Sequence, residues 1–452
     1  MAVKFGGFMN SDVNMREVAL SVLLEVLERN SYLNSVLGMT LEKYQYLDKQ
    51  DRAFLTRLCE GVVERRLTLD YYLNQYSKVK TEKMKPVIRT ILRMGVYQLK
   101  YMDQVPDSAA CNESVKLAVK KGFGSLRGFV NGVLRAVARG EDSIPGNLSV
   151  KYSMPEWLVE KWTAVYGLEK TETMLSAFLE SRKTHIRCLE GEENMLLEEL
   201  ISEGIEAERG AYLPYALTIS GYNYLRQLKS FREGRFQVQD ESSMLIGECA
   251  GIRPEDIVVD VCGAPGGKAT HAAQKLRGKG LVSVRDLTEK KTALIRENVD
   301  RLGLTNVEIK EWDALTLDEA WKEKADVVLA DLPCSGLGII GKKPDIKYHA
   351  SQEGIEALRD LQRQILSVVW QYVKPGGTLL YSTCTATPEE NEENALWFAQ
   401  NFDFELVSLK EAVPEILKNE VSEKGFLQLY PGVHSCDGFF LAKFRRKERK
   451  RG

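Results

Sequence analysis

The sequence predicts three folding units in series: an all-helical bundle, a small α+β module, and an α/β domain with a doubly wound, mostly parallel sheet. Length is the first reason, because 452 residues exceed what one hydrophobic core accommodates and chains of this size divide into domains. Periodicity is the second. Apolar residues recur at i, i+3 and i+4 almost throughout residues 11–139, as on one face of an amphipathic helix. From Arg235 onward, short β-branched runs alternate with helical stretches, and that alternation marks βαβ units.

In the front segment, residues 1–141, the positions Val18, Ala19, Val22, Leu23, Val26 and Leu27 trace the first helical face. Further helices are expected over residues 52–64, 85–101, 109–121 and 126–138. The connection at 104–108 offers Asp107 or Ser108 as an N-cap. Residues 140–147 have the Gly, Pro and acidic composition of a linker. Within the middle segment, 142–234, a tryptophan-bearing helix is expected at 155–166, followed by strands at 184–189 and 216–220 flanking a helix at 194–202. The last domain, 235–446, has expected strands at 257–261, 280–284, 307–310, 327–330 and 378–382. Residues 447–452 end a basic run that begins at Lys443, a candidate patch for a polyanion.

Composition excludes several classes. No run is long and apolar enough to span a bilayer, and the first residues lack the h-region of a signal peptide. A cytoplasmic protein with no membrane partner is expected. The eight cysteines form no CxxC pair and there are only four histidines, so neither a metal site nor a disulfide framework is expected. A formal charge of −2 leaves any nucleic-acid surface to a local patch.

The expected strand at 257–261 feeds the loop Cys262-Gly263-Ala264-Pro265-Gly266-Gly267-Lys268. Glycines there let the backbone approach a ligand, and the following helix can point its N-terminal N–H groups at an anion. The loop matches neither GxxxxGK[ST] nor GxGxxG. Acids end the next strands, Asp286, Asp313 and Asp331 in turn; carboxylates at successive strand ends suit a ligand carrying ribose hydroxyls and an amino group. Asp260 is expected only to brace the loop. Two strand ends also present thiols, Cys334 in Asp331-Leu332-Pro333-Cys334-Ser335-Gly336 and Cys384 in Ser382-Thr383-Cys384-Thr385. Either alone reads most simply as a small buried hydrophobe; both together, downstream of a glycine loop, favour chemistry.

These three motifs resemble the glycine loop and the two cysteine motifs of the RNA 5-methylcytosine methyltransferases. The front segment resembles the RNA-binding antitermination factor NusB, in Asp51-Arg52-Ala53-Phe54, in the run from Ile91 to Leu99, in Asn112-Glu113-Ser114-Val115 and in the run from Gly128 to Arg135. The resemblance covers nearly the whole chain. It implies a NusB-like bundle, with Arg16, Arg52, Arg65 and Arg66 as candidates for phosphate contact, and a Rossmann-like class I methyltransferase domain acting on small-subunit ribosomal RNA. It also implies S-adenosylmethionine, bound by Cys262, Gly263, Ala264, Pro265, Gly266, Gly267, Lys268, Asp286, Asp313 and Asp331. A monomer is expected. Where relatives usually carry alanine this chain has Gly263, a change a tight loop should accept, and Arg187-Cys188-Leu189 replaces a usual Arg-Val-Asn. Lys347, in Lys343-Pro344-Asp345-Ile346-Lys347-Tyr348, is a candidate phosphate contact.

Carbon-5 of cytosine is too poor a nucleophile to take a methyl group directly, and a thiolate adding at carbon-6 solves that. The resemblance assigns this role to Cys384, product release to Cys334, and a hydrogen bond to the ring nitrogen to Asp331. A DNA cytosine methyltransferase would use the Pro-Cys cysteine and follow it with Glu-Asn-Val. Glu297-Asn298-Val299 precedes that loop here and is expected to be coincidental. The alternative of another class is a non-catalytic RNA-binding assembly factor with a decayed methyltransferase half.

Overall fold

The computed structural model describes residues 13–140, 146–180, 183–222, 224–418 and 424–448. They form two compact units: one of the described residues up to Leu175 together with Lys342–His349, the other of the described residues Ser176–Gly341 and those from Ala350 onward.

The first unit contains α1 Met15–Glu28, α2 Leu33–Lys43, α3 Lys49–Glu64, α4 Arg66–Tyr76, α5 Pro86–Tyr101, α6 Asp107–Lys120 and α7 Arg127–Arg139. Asn14 caps α1 by accepting from the N–H groups of Arg16 and Glu17. The apolar positions of α5, Ile88, Ile91, Leu92 and Val96, are buried, and α5 packs against α1, α3, α4, α6 and α7. Its burial nearly all round makes it the axis of the bundle. Asp107 is the first residue of α6 rather than its cap; Pro106 holds the cap position and no side chain caps the helix. Most of the expected linker, residues 141–145, lies outside the described residues.

The segment Lys342–His349, which the sequence assigns to the α/β domain, belongs to this unit. Asp345 accepts from the Leu33 N–H at 2.8 Å, and the guanidinium of Arg66 lies 3.6 Å from the ring centre of Tyr348. Lys347 is buried and donates to the carbonyl of Glu64 at 2.8 Å; burial pushes its pKa down to about 7. It is a structural lysine, so the expected phosphate contact fails. Three candidate arginines are likewise engaged within the unit: Arg16 donates to Gln98 at 2.7 Å, Arg65 pairs with Glu64, and Arg66 stacks on Tyr348.

The second unit holds two sheets. β1 Thr184–Cys188, β2 Glu206–Arg209, β3 Ala216–Ser220 and β4 Phe236–Val238 form an antiparallel sheet in the order β2-β3-β1-β4. The sequence reading missed β2, whose charged residues face solvent, and took the residues of β4 as the opening of the next domain. The remaining strands are β5 Ile257–Asp260, β6 Leu281–Asp286, β7 Val307–Glu311, β8 Ala325–Asp331, β9 Val373–Thr383, β10 Phe404–Leu406, β11 Phe426–Leu429 and β12 Phe439–Arg446. The larger sheet runs β10-β12-β9-β8-β5-β6-β7, with β11 also paired to β12. It is parallel from β7 to β9 and antiparallel where β12 inserts. The first four residues of the expected basic run, 443–446, are thus strand, with Phe444 buried and Arg446 pairing with Glu323 at 2.8 Å, and 449–452 lie outside the described residues. No helix among the described residues is long and apolar enough to cross a membrane.

Candidate active site

Strand order puts the carboxyl ends of β5, β8 and β9 side by side, the edge where open α/β sheets hold ligands. β5 ends in Asp260 and passes through the glycine loop into the helix Gly267–Lys275. Gly266 adopts φ +107° at the helix cap, a conformation that favours glycine. The loop is held from several sides. Asp286 is buried and accepts from the Ala264 N–H at 3.0 Å and the Leu287 N–H at 2.8 Å while pairing with Lys291 at 2.9 Å. Asn298 donates to the Pro265 carbonyl at 2.9 Å, so the Glu-Asn-Val stretch has a structural use. Gly263 is required rather than merely tolerated: a Cβ there would lie 2.2 Å from Cγ2 of Val284.

Arg187 is fully buried and donates to the carbonyl of Gly267 at 2.8 Å, to Thr270 and Gln274 at 3.1 Å each, and to Gln239. Burial pushes its pKa down to about 9. It fastens the first turn of the helix that follows the glycine loop, which explains an arginine inside a small sheet.

Asp260 ends β5 beneath the loop, beside the Cys262 backbone, whose N–H favours its charged form. It is completely buried; burial, opposed by Lys268 and reinforced by Asp331, pushes its pKa up to about 7. It lines a cavity of about 160 Å³ with Gly263, Ala264, Gly267, Lys268 and Asp331. A buried carboxylate is costly unless a ligand supplies a donor. The ammonium and carboxylate of an amino-acid group fit this acceptor and the helix start beside it, so the residues present suit the methionine end of S-adenosylmethionine. Asp313 stands apart: it is exposed, outside that cavity, and accepts from the Leu315 N–H at 2.9 Å.

The two thiols meet. Cys334 Sγ and Cys384 Sγ are 3.2 Å apart, and the Cys384 N–H points at Cys334 Sγ at 3.3 Å. Both residues are half-buried and unbridged. The adjacent Cys384 sulfur, then burial, push the Cys334 pKa well above the ordinary thiol value. Beside them Asp331 forms an ion pair with Lys268 and accepts from the Ser382 hydroxyl at 2.6 Å. Burial opposes charge on Lys268, but Asp331 outweighs it and raises the lysine pKa. Lys268 thus ties the glycine loop to Asp331, the acid that opens the Cys334 loop, a placement the sequence could not show.

Glycine loop, buried acid and paired thiols on this sheet define an α/β methyltransferase, in a chain that begins with a helical unit. Family models place it further. Residues 250–445 match the family described as 16S rRNA methyltransferase RsmB/F, residues 13–139 the NusB family, and residues 154–224 the ferredoxin-like domain of RsmF/B-like methyltransferases. A Bacillus subtilis protein named probable ribosomal RNA small subunit methyltransferase B is 36% identical, over 96% of this chain and 99% of its own. A Synechocystis protein of the same name is 34% identical, over 96% and 100%. The crystal structure of PH0851 superposes with a TM-score of 0.80 at 26% identity, covering 97% of this chain and all of that one. The chain belongs to the RsmB/F family of 16S rRNA methyltransferases.

Proposed function

We propose that this protein methylates carbon-5 of a cytidine in small-subunit (16S) ribosomal RNA in the cytoplasm, with Cys384 as covalent nucleophile and S-adenosylmethionine as the methyl donor. The observation that carries this reading is the pair of thiols 3.2 Å apart beside the Lys268–Asp331 pair, at the same sheet edge as the glycine loop. One buried thiol would suit packing; two in contact beside an ion pair suit addition and elimination at one base.

When bound, the cofactor supplies an electrophilic methyl group. The methionine end would sit against Asp260 and the start of the Gly267–Lys275 helix, with Asp286 and Asp313 toward the nucleoside. The target base must leave its stack to reach this recess. Cys384 adds to carbon-6, and negative charge spreads onto the ring nitrogen and carbonyl oxygen. The hydrogen-bonded Lys268–Asp331 pair offers a proton donor to that charge and an acceptor to the exocyclic amine, which favours cytosine over uracil. Cys334 acts in the elimination that follows, in which the carbon-5 proton passes to a base, the carbon-5–carbon-6 double bond re-forms and Cys384 leaves carbon-6 as a thiolate.

Denaturing electrophoresis with substrate RNA and cofactor tests this. Cys334→Ala should attack and methylate but fail to release, leaving a cofactor-dependent protein–RNA adduct; Cys384→Ala should form none. An adduct from Cys384→Ala overturns the assignment. Calorimetric titration with S-adenosylmethionine separates the enzyme from a decayed assembly factor, which would not bind it.

A further inference from the structure

Glu390 is completely buried, and nothing in the scheme above uses it. It lies in the short 3-10 turn Pro388–Glu390, after the Cys384 strand end. One carboxylate oxygen accepts from the Ser335 N–H at 2.8 Å and from the Gln362 amide at 3.1 Å. The other accepts from the hydroxyls of Ser335 at 2.5 Å and Thr387 at 2.7 Å. All four partners are neutral donors, so the carboxylate is solvated by dipoles rather than by a cation. A buried carboxylate is expensive even when fully hydrogen-bonded, and an amide or hydroxyl network could have packed here instead.

The network grips Cys334 from both sides. Gln362 also donates to the carbonyl of Pro333 at 2.9 Å, while Glu390 holds Ser335, so the residues before and after the thiol are fixed by one hydrogen-bonded pair. Ser335 Oγ in turn lies 2.7 Å from Thr385 Oγ1, next to Cys384. The carboxylate therefore ties the two cysteine segments together and places a negative charge close to Cys334.

We propose that Glu390 is a positioning residue that decides which thiol attacks: it clamps the Cys334 segment against Cys384 and keeps the proton on Cys334, leaving Cys384 as the attacking sulfur. The inference rests on the reading of Cys384 as nucleophile. The charges facing the pair are arranged to match. The Cys384 sulfur and burial, and behind them Glu390, disfavour a thiolate at Cys334, while the Lys268 ammonium, from the helix after the glycine loop, adds a positive charge near the pair. Asp331 contacts that lysine, and the Tyr381 hydroxyl is turned away, donating to Gln362 and to the Glu390 carbonyl. With its proton retained, Cys334 donates a hydrogen bond to the Cys384 thiolate and lowers the cost of forming it.

The test measures alkylation of each thiol by iodoacetamide in the full-length protein, from about pH 6 to about pH 10, resolved by mass spectrometry of the two peptides. Wild type should alkylate Cys384 first. Glu390→Gln keeps the shape and removes the charge, since its amide nitrogen can donate to the two hydroxyls. It should cut the preference for Cys384 roughly tenfold, equivalent to about one pKa unit between the thiols. The kcat for methyl transfer should fall while the KM for RNA stays near the wild-type value, and Glu390→Asp should not restore the preference because its shorter arm releases Ser335. Ser335→Ala, which leaves the charge and the backbone N–H bond to Glu390 in place and removes only the hydroxyl links to Glu390 and Thr385, should move preference and kcat the same way by a smaller factor, and serves if Glu390→Gln fails to fold. A folded Glu390→Gln or Ser335→Ala protein with wild-type preference and pH midpoints overturns the proposal while leaving Cys384 as nucleophile. Faster alkylation of Cys334 in wild type overturns both.

Discussion

Replacing Gly263 by alanine, the residue usual at that position in the methyltransferases this chain resembles, should damage this particular loop. The new Cβ would stand 2.2 Å from Cγ2 of Val284 and 3.1 Å from the carboxyl of Asp260. Val284 is a buried, β-branched strand residue with little rotamer freedom, and the loop is pinned by Asp286 and Asn298. Neither side can yield cheaply. Overpacking of this kind costs about 1–3 kcal/mol, roughly a 5- to 150-fold loss of cofactor affinity if the strain falls on the loop. Val284→Ala removes the clashing methyl, at its own cost of about 2 kcal/mol in lost packing. The double variant should therefore be less impaired than the sum of the two by at least about 1 kcal/mol. Calorimetric titration of the four proteins with S-adenosylmethionine, with thermal midpoints as a check on folding, measures that coupling. Additivity within about 0.5 kcal/mol would show that the loop and β6 do not compete for space, and the argument would fail.

Asp260 has a folded-state pKa near 7 against an ordinary 3.8, so the folded protein holds a proton that the unfolded chain has lost. Its neutral form contributes stability that is fully present below about pH 4 and lost by about pH 7; Asp260→Asn should flatten that part of the thermal midpoint against pH. Cofactor affinity should run the other way, rising toward pH 7 as the carboxylate forms to meet the ligand ammonium, and a pH-independent wild-type affinity would remove Asp260 from the site. Lys347→Met should leave the slope of log Kd for RNA against log salt unchanged, because the lysine is buried on Glu64; a slope smaller in magnitude by about 1 would restore it as a phosphate contact. Asp286→Ala should weaken cofactor binding roughly 10- to 150-fold by releasing the Ala264 N–H, and an unchanged dissociation constant in a folded variant would exclude that role.

The sequence by itself determined the architecture and the strand ends. Helical periodicity, β-branched runs and Gly-Pro breaks are local signals, and they located β5 through β9, the glycine loop and both cysteines. Of the strands it missed, β2, β4, β10 and β11 are short, three or four residues each, where neighbours rather than propensity decide pairing, and β12 inserts antiparallel between β10 and β9, with its last residues in a basic run that read as a tail. Which side chains meet was decided only in three dimensions, because the partners are far apart in the chain: Lys268 and Asp331 by 63 positions, Ser335 and Glu390 by 55, Lys347 and Glu64 by 283. Lys347 had the composition of a surface contact and became a buried donor. Asp260 ended a strand like any other acid and became a fully buried carboxyl with its pKa pushed up. Burial and desolvation set the charge and the partner of each of these groups, and both are properties of the packed chain that no local pattern of residues carries.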